Sequence, residues 1–301
     1  MPEVLPVPRV SVGMPVYNGE RYLALALDSL LAQEYRDFEL IISDNGSTDG
    51  TEAICRSYAA QDARIRYVRQ PRNMGGAWNF SEVARLARGE YFRWACHDDL
   101  CAPSHLRRCV EVMDASPPSV VLVYTHTLRI DAAGVAVGES REGLDTRGLP
   151  PHARFRRVAE RLRYANMLYG LMRRDALLST DLIGPYESSD YVLLAQLCLL
   201  GTFAEVPEFL FHRRIHPGMS RKANLTPTAV AQWFSPSNSS RVYVPHVRLF
   251  KEYTRSVLHA PLAIGERART AIALWFWLRR GMRPLLKELA LALPRGNRAY
   301  R

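Results

Sequence analysis

Residues Arg9–Thr51 read RVSVGMPVYNGERYLALALDSLLAQEYRDFELIISDNGSTDGT. Two apolar, β-rich runs, RVSVGM (Arg9–Met14) and FELIIS (Phe38–Ser43), flank a segment in which Leu23, Leu27, Leu30 and Leu31 recur at helical spacing. A strand, a helix and a second strand in succession form the unit that builds a parallel sheet, since parallel neighbours need a crossover connection. The alternation continues. IRYVR (Ile65–Arg69), EYFRWA (Glu90–Ala95) and VVLVYT (Val120–Thr125) read as strands, with helical periods near 51–62, 77–88 and 104–115 between them. The pattern predicts an α/β fold with a Rossmann-like, mostly parallel sheet flanked by helices. Ligands of such sheets lie beyond the carboxyl ends of the strands. The polar residues that follow each strand are therefore the candidates for chemistry.

Past Pro117 the period weakens. DAAGVAVGESREGLDTRGLPPHARFRR reads as a loop or weak hairpin followed by helix, then SSDYVLLAQLCLLG as helix and TFAEVPEFLFHRR as strand. WFSPSNSSRVYVP (Trp233–Pro245) reads as a linker, which predicts a body of residues 1–232 and a basic helical C-terminal extension of residues 233–301.

The chain has 301 residues, 48% of them hydrophobic, enough for a substantial core. Five scattered cysteines without a C-x-x-C pair argue against a disulfide framework or a zinc site. The N-terminus lacks the basic and apolar regions of a signal peptide, so a cytoplasmic location is expected. The formal charge of +10 is concentrated. From Arg241 onward 13 lysines and arginines face three acids, leaving 27 of each sign in residues 1–240. Such a tail suits an anionic partner, either nucleic acid or phospholipid. Its apolar run, Ala271–Leu278, is far shorter than the roughly 20 residues a membrane span needs. Tryptophans beside arginines suit an interfacial helix at the inner membrane face. They equally suit a terminal helix whose Trp275 and Trp277 pack onto the body.

The turn after the first strand, MPVYNGERY, is neither G-x-G-x-x-G nor a Walker A loop. Pro15 and Tyr17 offer a rigid backbone and an aromatic face, and Asn18 can cap the next helix. After the second strand, SDNGSTDGTEA places Asp44 where it can accept hydrogen bonds from a ribose or base, while Asp49 and Glu52 have capping-box spacing. RNMGGAWNF supplies Asn73 and the Gly75–Gly76 pair, which can admit a ligand close to the backbone or simply make a turn. YFRWACHDDL ends in Asp98 and Asp99, two carboxylates suited to Mg²⁺ or Mn²⁺, or else acids near a helix start. In GPYESSDYVLLAQ, Asp190 is a first-turn acid or a general base, with Glu187 three residues before it. HRRIHPGMS brings Arg213, Arg214 and His216, able to complement a diphosphate, complete a metal shell, or form a solvated turn.

Taken in order, VSVGMPVYNGERYLALALDSLLAQ, FELIISDNGSTDGT, RNMGGAWNF, ARGEYFRWACHDD, YESSDYVLLAQLCLLG and FHRRIHPGMS resemble the family 2 glycosyltransferases of the GT-A fold, over about residues 9–220. The resemblance implies a metal-dependent, inverting transfer of a sugar from a nucleotide-diphosphate sugar to an acceptor hydroxyl, as in polysaccharide or glycolipid synthesis. It implies a nucleoside held by Pro15, Tyr17 and Asp44, with Asn18, Asn73 and Gly75 lining the donor site. It further implies Asp99 as metal ligand, Asp98 beside the ribose or donor sugar, and Arg214 and His216 near the diphosphate, His216 also toward the metal. His97 stands where many relatives have an acid. The family's Glu-Asp pair reads Ser189-Asp190 here, so Asp190 is the expected base and Glu187 its alternate. A nucleotidyltransferase on a similar sheet is disfavoured by the missing phosphate loop, and a non-catalytic nucleotide-sugar-binding or nucleic-acid-binding protein by the polar residues clustered at the strand ends of a neutral body.

Overall fold

A computed structural model describes residues 7–219, 223–238 and 244–292. Among the described residues nine strands form one sheet: β1 (Val10–Val16), β2 (Phe38–Asp44), β3 (Ile65–Arg69), β4 (Tyr91–Trp94), β5 (Leu100–Cys101), β6 (Val120–Ile130), β7 (Ala136–Ser140), β8 (Leu171–Arg173) and β9 (Thr202–Arg214). Their order is β3-β2-β1-β4-β8-β6-β9-β5, with β7 added to β6. β3, β2, β1 and β4 are mutually parallel, as are β6 and β9; β8 runs antiparallel between β4 and β6. The expected α/β sheet is therefore present.

Every residue of β1, β2 and β4 is buried, as befits parallel strands covered on both faces. Alternate residues feed two cores. On one face Val10, Val12 and Met14 meet Leu23, Leu27 and Leu30 of α1 (Glu20–Leu31), Cys55 of α2 (Thr51–Gln61) and Leu106 and Val110 of α4 (His105–Asp114). On the other, Phe92 and Trp94 meet Val83 of α3 (Gly76–Leu86), Phe155 of α5 (Pro151–Arg161) and Leu193 of α7 (Ser189–Leu200). A short α6 (Arg174–Leu178) precedes α7.

α7 explains why the chain continues. Val192, Leu193, Leu194, Ala195, Leu197, Cys198 and Leu199 are all buried, so this helix is apolar around its circumference. Such a helix needs cover on its second side. α9 (Pro245–His259) and α10 (Ile264–Ala292) supply it, and Tyr253, Val257, Ala273 and Leu274 join the same core as Phe155 and Leu193. Trp275 and Trp277 divide: Trp277 packs on this core, whereas Trp275 is 52% exposed. The span read as a linker is partly structured, since α8 (Pro227–Phe234) and a 3-10 turn (Pro236–Asn238) occupy its start; residues 239–243 lie outside the described residues.

The chain builds outward from β1 to β3, then returns to the other side of β1 with β4. The carboxyl ends of β1 and β4 thus flank the point where strand order reverses, and the crevice of such sheets opens there.

Candidate active site

At that crevice the turns after β1 and β2 are locked to each other. Asn18, at φ 50°, accepts the Thr48 N–H through Oδ1 at 2.9 Å and donates its own N–H to Ser47. It therefore caps the neighbouring turn, and Gly19 stands at the N-cap of α1 without a side-chain cap. This corrects the capping expected of Asn18. Asp49 accepts the N–H groups of Glu20 and Thr51, and Glu20 in turn accepts that of Gly50. The capping box expected of Asp49 and Glu52 is replaced by this cross-brace. Glu52 instead pairs with Arg56 and Arg69.

Asp44 is fully buried at the end of β2, accepting the Ser47 N–H at 2.8 Å and the Tyr67 hydroxyl at 2.7 Å. Burial and the Asp44 charge push the Tyr67 phenol upward, so it stays a donor. Tyr17 is 42% exposed, presenting its ring beside this floor. Asn73 accepts from Asn45 and from the Gly75 N–H, closing the turn that enters α3. Gly75 sits at φ 94°, and a β-carbon there would lie 2.6 Å from the Phe234 carbonyl oxygen. The close approach that its glycine permits is thus made by the chain's own Phe234–Pro236 segment.

The acid pair stands across the crevice. Leu100–Cys101 form β5 directly after it and α4 begins only at His105, so the helix-start reading of Asp98 and Asp99 does not hold. Asp99, buried, accepts the Arg214 N–H at 2.8 Å. Asp98 meets His216 Nε2 at 2.9 Å. Burial first, then the neighbouring Asp98 charge, pushes the Asp99 carboxyl well above the usual carboxylate range. The Arg214 guanidinium donates to the carbonyls of Asp98, Asp131 and Ala132 and lies over the Tyr22 ring. Its hydrogen bonds go to backbone, so it holds the acid loop and supplies field. His216 packs edge-on against the same Tyr22. The ring of His97 covers Gly19, where a β-carbon would lie 2.7 Å from it.

Sequence reading missed Cys96, whose thiol lies with Asp98 and Asp99 so that one ligand atom of each falls within 4.8 Å of the others. Its position two residues before Asp98 was the available signal. The thiol donates to the Tyr169 hydroxyl at 3.1 Å, and burial holds its pKa far above the usual value, so it is a protonated neighbour. Two converging carboxylates with a flanking imidazole fit a hard divalent cation that keeps some positions for phosphate and water.

Asp190 stands on α7. It sits half-buried in the first turn of α7, after Ser188 at φ 63°, accepts the Tyr191 N–H at 3.0 Å and lies near Tyr253 of α9. Glu187 is half-buried three residues before it.

Known proteins match this geometry and sequence. Residues 11–157 match the model of glycosyl transferase family 2. An uncharacterized glycosyltransferase of Rickettsia typhi is 37% identical over 117 residues, 39% of this chain and 36% of that protein. The chain thus spans about a third of that relative's length. Among solved structures, S. aureus TarS in complex with UDP-GlcNAc aligns with a TM-score of 0.69 at 17% identity, covering 95% of this chain and 76% of the other. The mannosyltransferase PcManGT of Pyrobaculum calidifontis, in complex with GDP-Man and Mn²⁺, aligns at 0.54 and 18%, covering 96% and 81%. With its β3-β2-β1-β4 sheet, its acid pair at the switch point and this family match, residues 11–157 form a glycosyl transferase family 2 domain of GT-A-like fold.

Proposed function

We propose that the protein transfers a sugar from a nucleotide-diphosphate sugar to an acceptor hydroxyl with inversion, aided by Mg²⁺ or Mn²⁺. The observation that carries this reading is the contact of Asp98 with His216 and of Asp99 with the Arg214 N–H at the point where strand order reverses. Tyr17 and Pro15 offer a face for the nucleoside base, with Asp44 and Asn18 below it and Asn73 and Gly75 shaping the neighbouring turn. Asp99 and His216 are the proposed metal ligands, and Asp98 faces the ribose or donor sugar. A divalent ion held by Asp99 and His216 would supply charge neutralisation for the departing nucleoside diphosphate. Around it, the Arg214 charge is fixed by three carbonyls, which orients positive field without a reorganisation cost. Asp190 is the proposed base, taking the proton of the attacking hydroxyl. That proton passes to the carboxylate as the acceptor oxygen bonds the anomeric carbon, and the diphosphate leaves with the electron pair of the broken bond.

Residues 1–232 are proposed as the transferase unit and residues 233–301 as an extension that also reaches an anionic membrane. Ile272, Trp275, Phe276, Met282 and Leu286 recur at helical spacing on α10 and are 41–57% exposed, with Arg279 stacked over Trp275. No helix among the described residues is long and apolar enough to cross a bilayer. The proposed site of action is the cytoplasmic membrane face, where lipid-linked or polymeric acceptors are within reach.

Incubation with a panel of UDP- and GDP-sugars and Mn²⁺ tests the activity through release of the nucleoside diphosphate. Release from one donor that stops on chelation is the expected result. No release and no nucleotide binding across the panel would refute it.

A further inference from the structure

Beyond the acid pair lies a second polar cluster that the donor chemistry leaves unused. A single 3-10 turn, Asn166–Tyr169, touches both. At one end Tyr169 receives the Cys96 thiol; at the other Asn166 Nδ2 donates to Glu142 Oε1 at 3.0 Å. The amide cannot flip without loss, because Arg213 donates to Asn166 Oδ1 at 2.5 Å. Arg213 also lies close enough to Asp98 and Asp99 to feel both charges. The arm from the acid pair through Arg213 and Asn166 therefore ends on one carboxylate.

That carboxylate is held in place yet poorly supplied. Among the described residues, Asn166 is the one donor to Glu142, while a carboxylate can accept about four hydrogen bonds. Glu142 is half-buried, and burial pushes its pKa up to about 7, opposed by Asn166 and Arg213 and reinforced by Glu205. Glu205 itself meets His126 at 3.0 Å and accepts the Gly143 N–H at 3.2 Å. Phe209 closes this end of the cluster, packed against the His126 ring at 5.1 Å and stacked by the Arg141 guanidinium at 5.2 Å. Carboxylates with unused lone pairs beside an amide are groups that bind a polyol, since the oxygens take its hydroxyl protons.

We propose that Glu142, Asn166 and Glu205 form the acceptor subsite, in which the Glu142 carboxylate accepts a hydrogen bond from a hydroxyl of a carbohydrate-like acceptor. The proposal rests on the transferase reading and leaves proton removal with Asp190. Glu142 orients the acceptor, and the Arg213–Asn166 arm registers it against the donor.

The test uses the full chain with UDP or GDP and Mg²⁺, and saturation-transfer difference NMR with methyl α-D-glucopyranoside and glycerol as probes. The wild type is expected to transfer saturation to at least one probe. Glu142→Ala is expected to weaken that binding by about tenfold or more, as for loss of a charged hydrogen-bond partner, with nucleotide affinity and cooperative unfolding kept. Asn166→Ala should weaken it in the same direction. Absence of saturation transfer in the wild type, or equal transfer in Glu142→Ala, would overturn the subsite. Loss of nucleotide affinity in Glu142→Ala would place the residue on the donor side and overturn it as well. Failure of the wild type to bind either nucleotide would instead defeat the transferase reading.

Discussion

Asp99→Asn should make the metal-free protein more stable while removing its response to metal. One ligand atom each of Asp98, Asp99 and Cys96 falls within 4.8 Å of the others. Two unit charges at that spacing repel by about 3 kcal/mol at an effective dielectric constant near 20. Arg213 and Arg214 offset part of this, leaving roughly 1–2 kcal/mol to be gained by neutralising one acid. Asparagine keeps an Oδ1 able to accept the Arg214 N–H, so the loop retains its anchor. The sign with pH follows from linkage. The folded pKa of Asp99 is raised above its ordinary value of 3.8, so its protonated form is favoured on folding. The stability it contributes is complete below that value and is lost as pH rises toward the folded pKa. The advantage of Asp99→Asn should therefore grow from acid to neutral pH. At about 2–4 °C per kcal/mol for a sizeable domain, unfolding in EDTA at pH 7.5 should move up by several degrees. Mn²⁺ at about a hundred times its Kd should add about 2.7 kcal/mol to the wild type and nothing to the variant. Scanning calorimetry with and without Mn²⁺ reads both effects. A variant less stable than wild type in EDTA, or one still stabilised by Mn²⁺, would refute the reasoning.

Asp190→Asn should leave nucleotide binding near wild type and cut transfer by about 10²- to 10⁴-fold, read by single-turnover product formation; substantial residual transfer removes the residue from that role. Glu142→Gln should raise stability at pH 8 by about 1–2 kcal/mol once solvent screening of this half-buried group is allowed for, since a folded pKa of about 7 against 4.5 means stability lost as pH climbs between them; urea unfolding should show the two proteins converging near pH 4. Gly75→Ala should cost about 1–3 kcal/mol, because φ 94° is strained for alanine and its β-carbon meets the Phe234 carbonyl; an unchanged melting temperature would argue that this contact is loose. Trp275→Ser combined with Phe276→Ser should weaken flotation with phosphatidylserine-containing liposomes without altering the melt, as both side chains are over 40% exposed. Equal flotation would remove α10 as the membrane contact.

Much of the fold is written in local pattern. The strand read at Ile65–Arg69 and that at Thr202–Arg214 coincide with β3 and β9, because each is a β-rich run bounded by turn residues. β6 runs to Ile130, five residues past the expected end at Thr125. Its polar-apolar HTLRI continuation is a strand because β7 and β9 flank it, which is partner information that no window carries. Nearness to His216 followed only from the family resemblance, whereas the acid pair itself was legible from its place after β4. Cys96, Tyr22, Asn166 and Glu142 were not, since their roles depend on contacts 24 or more residues apart along the chain.

The amino-acid sequence alone thus determined the β-α-β alternation and the strand-end acids, because periodicity and turn chemistry act over neighbouring residues. Tertiary structure alone decided that Asn18 braces the next turn, that Arg214 spends its guanidinium on three carbonyls, and that α9 and α10 close the core over α7. Hydrogen-bond satisfaction and burial are settled by whichever groups the fold brings within about 3 Å, however distant they are in the chain.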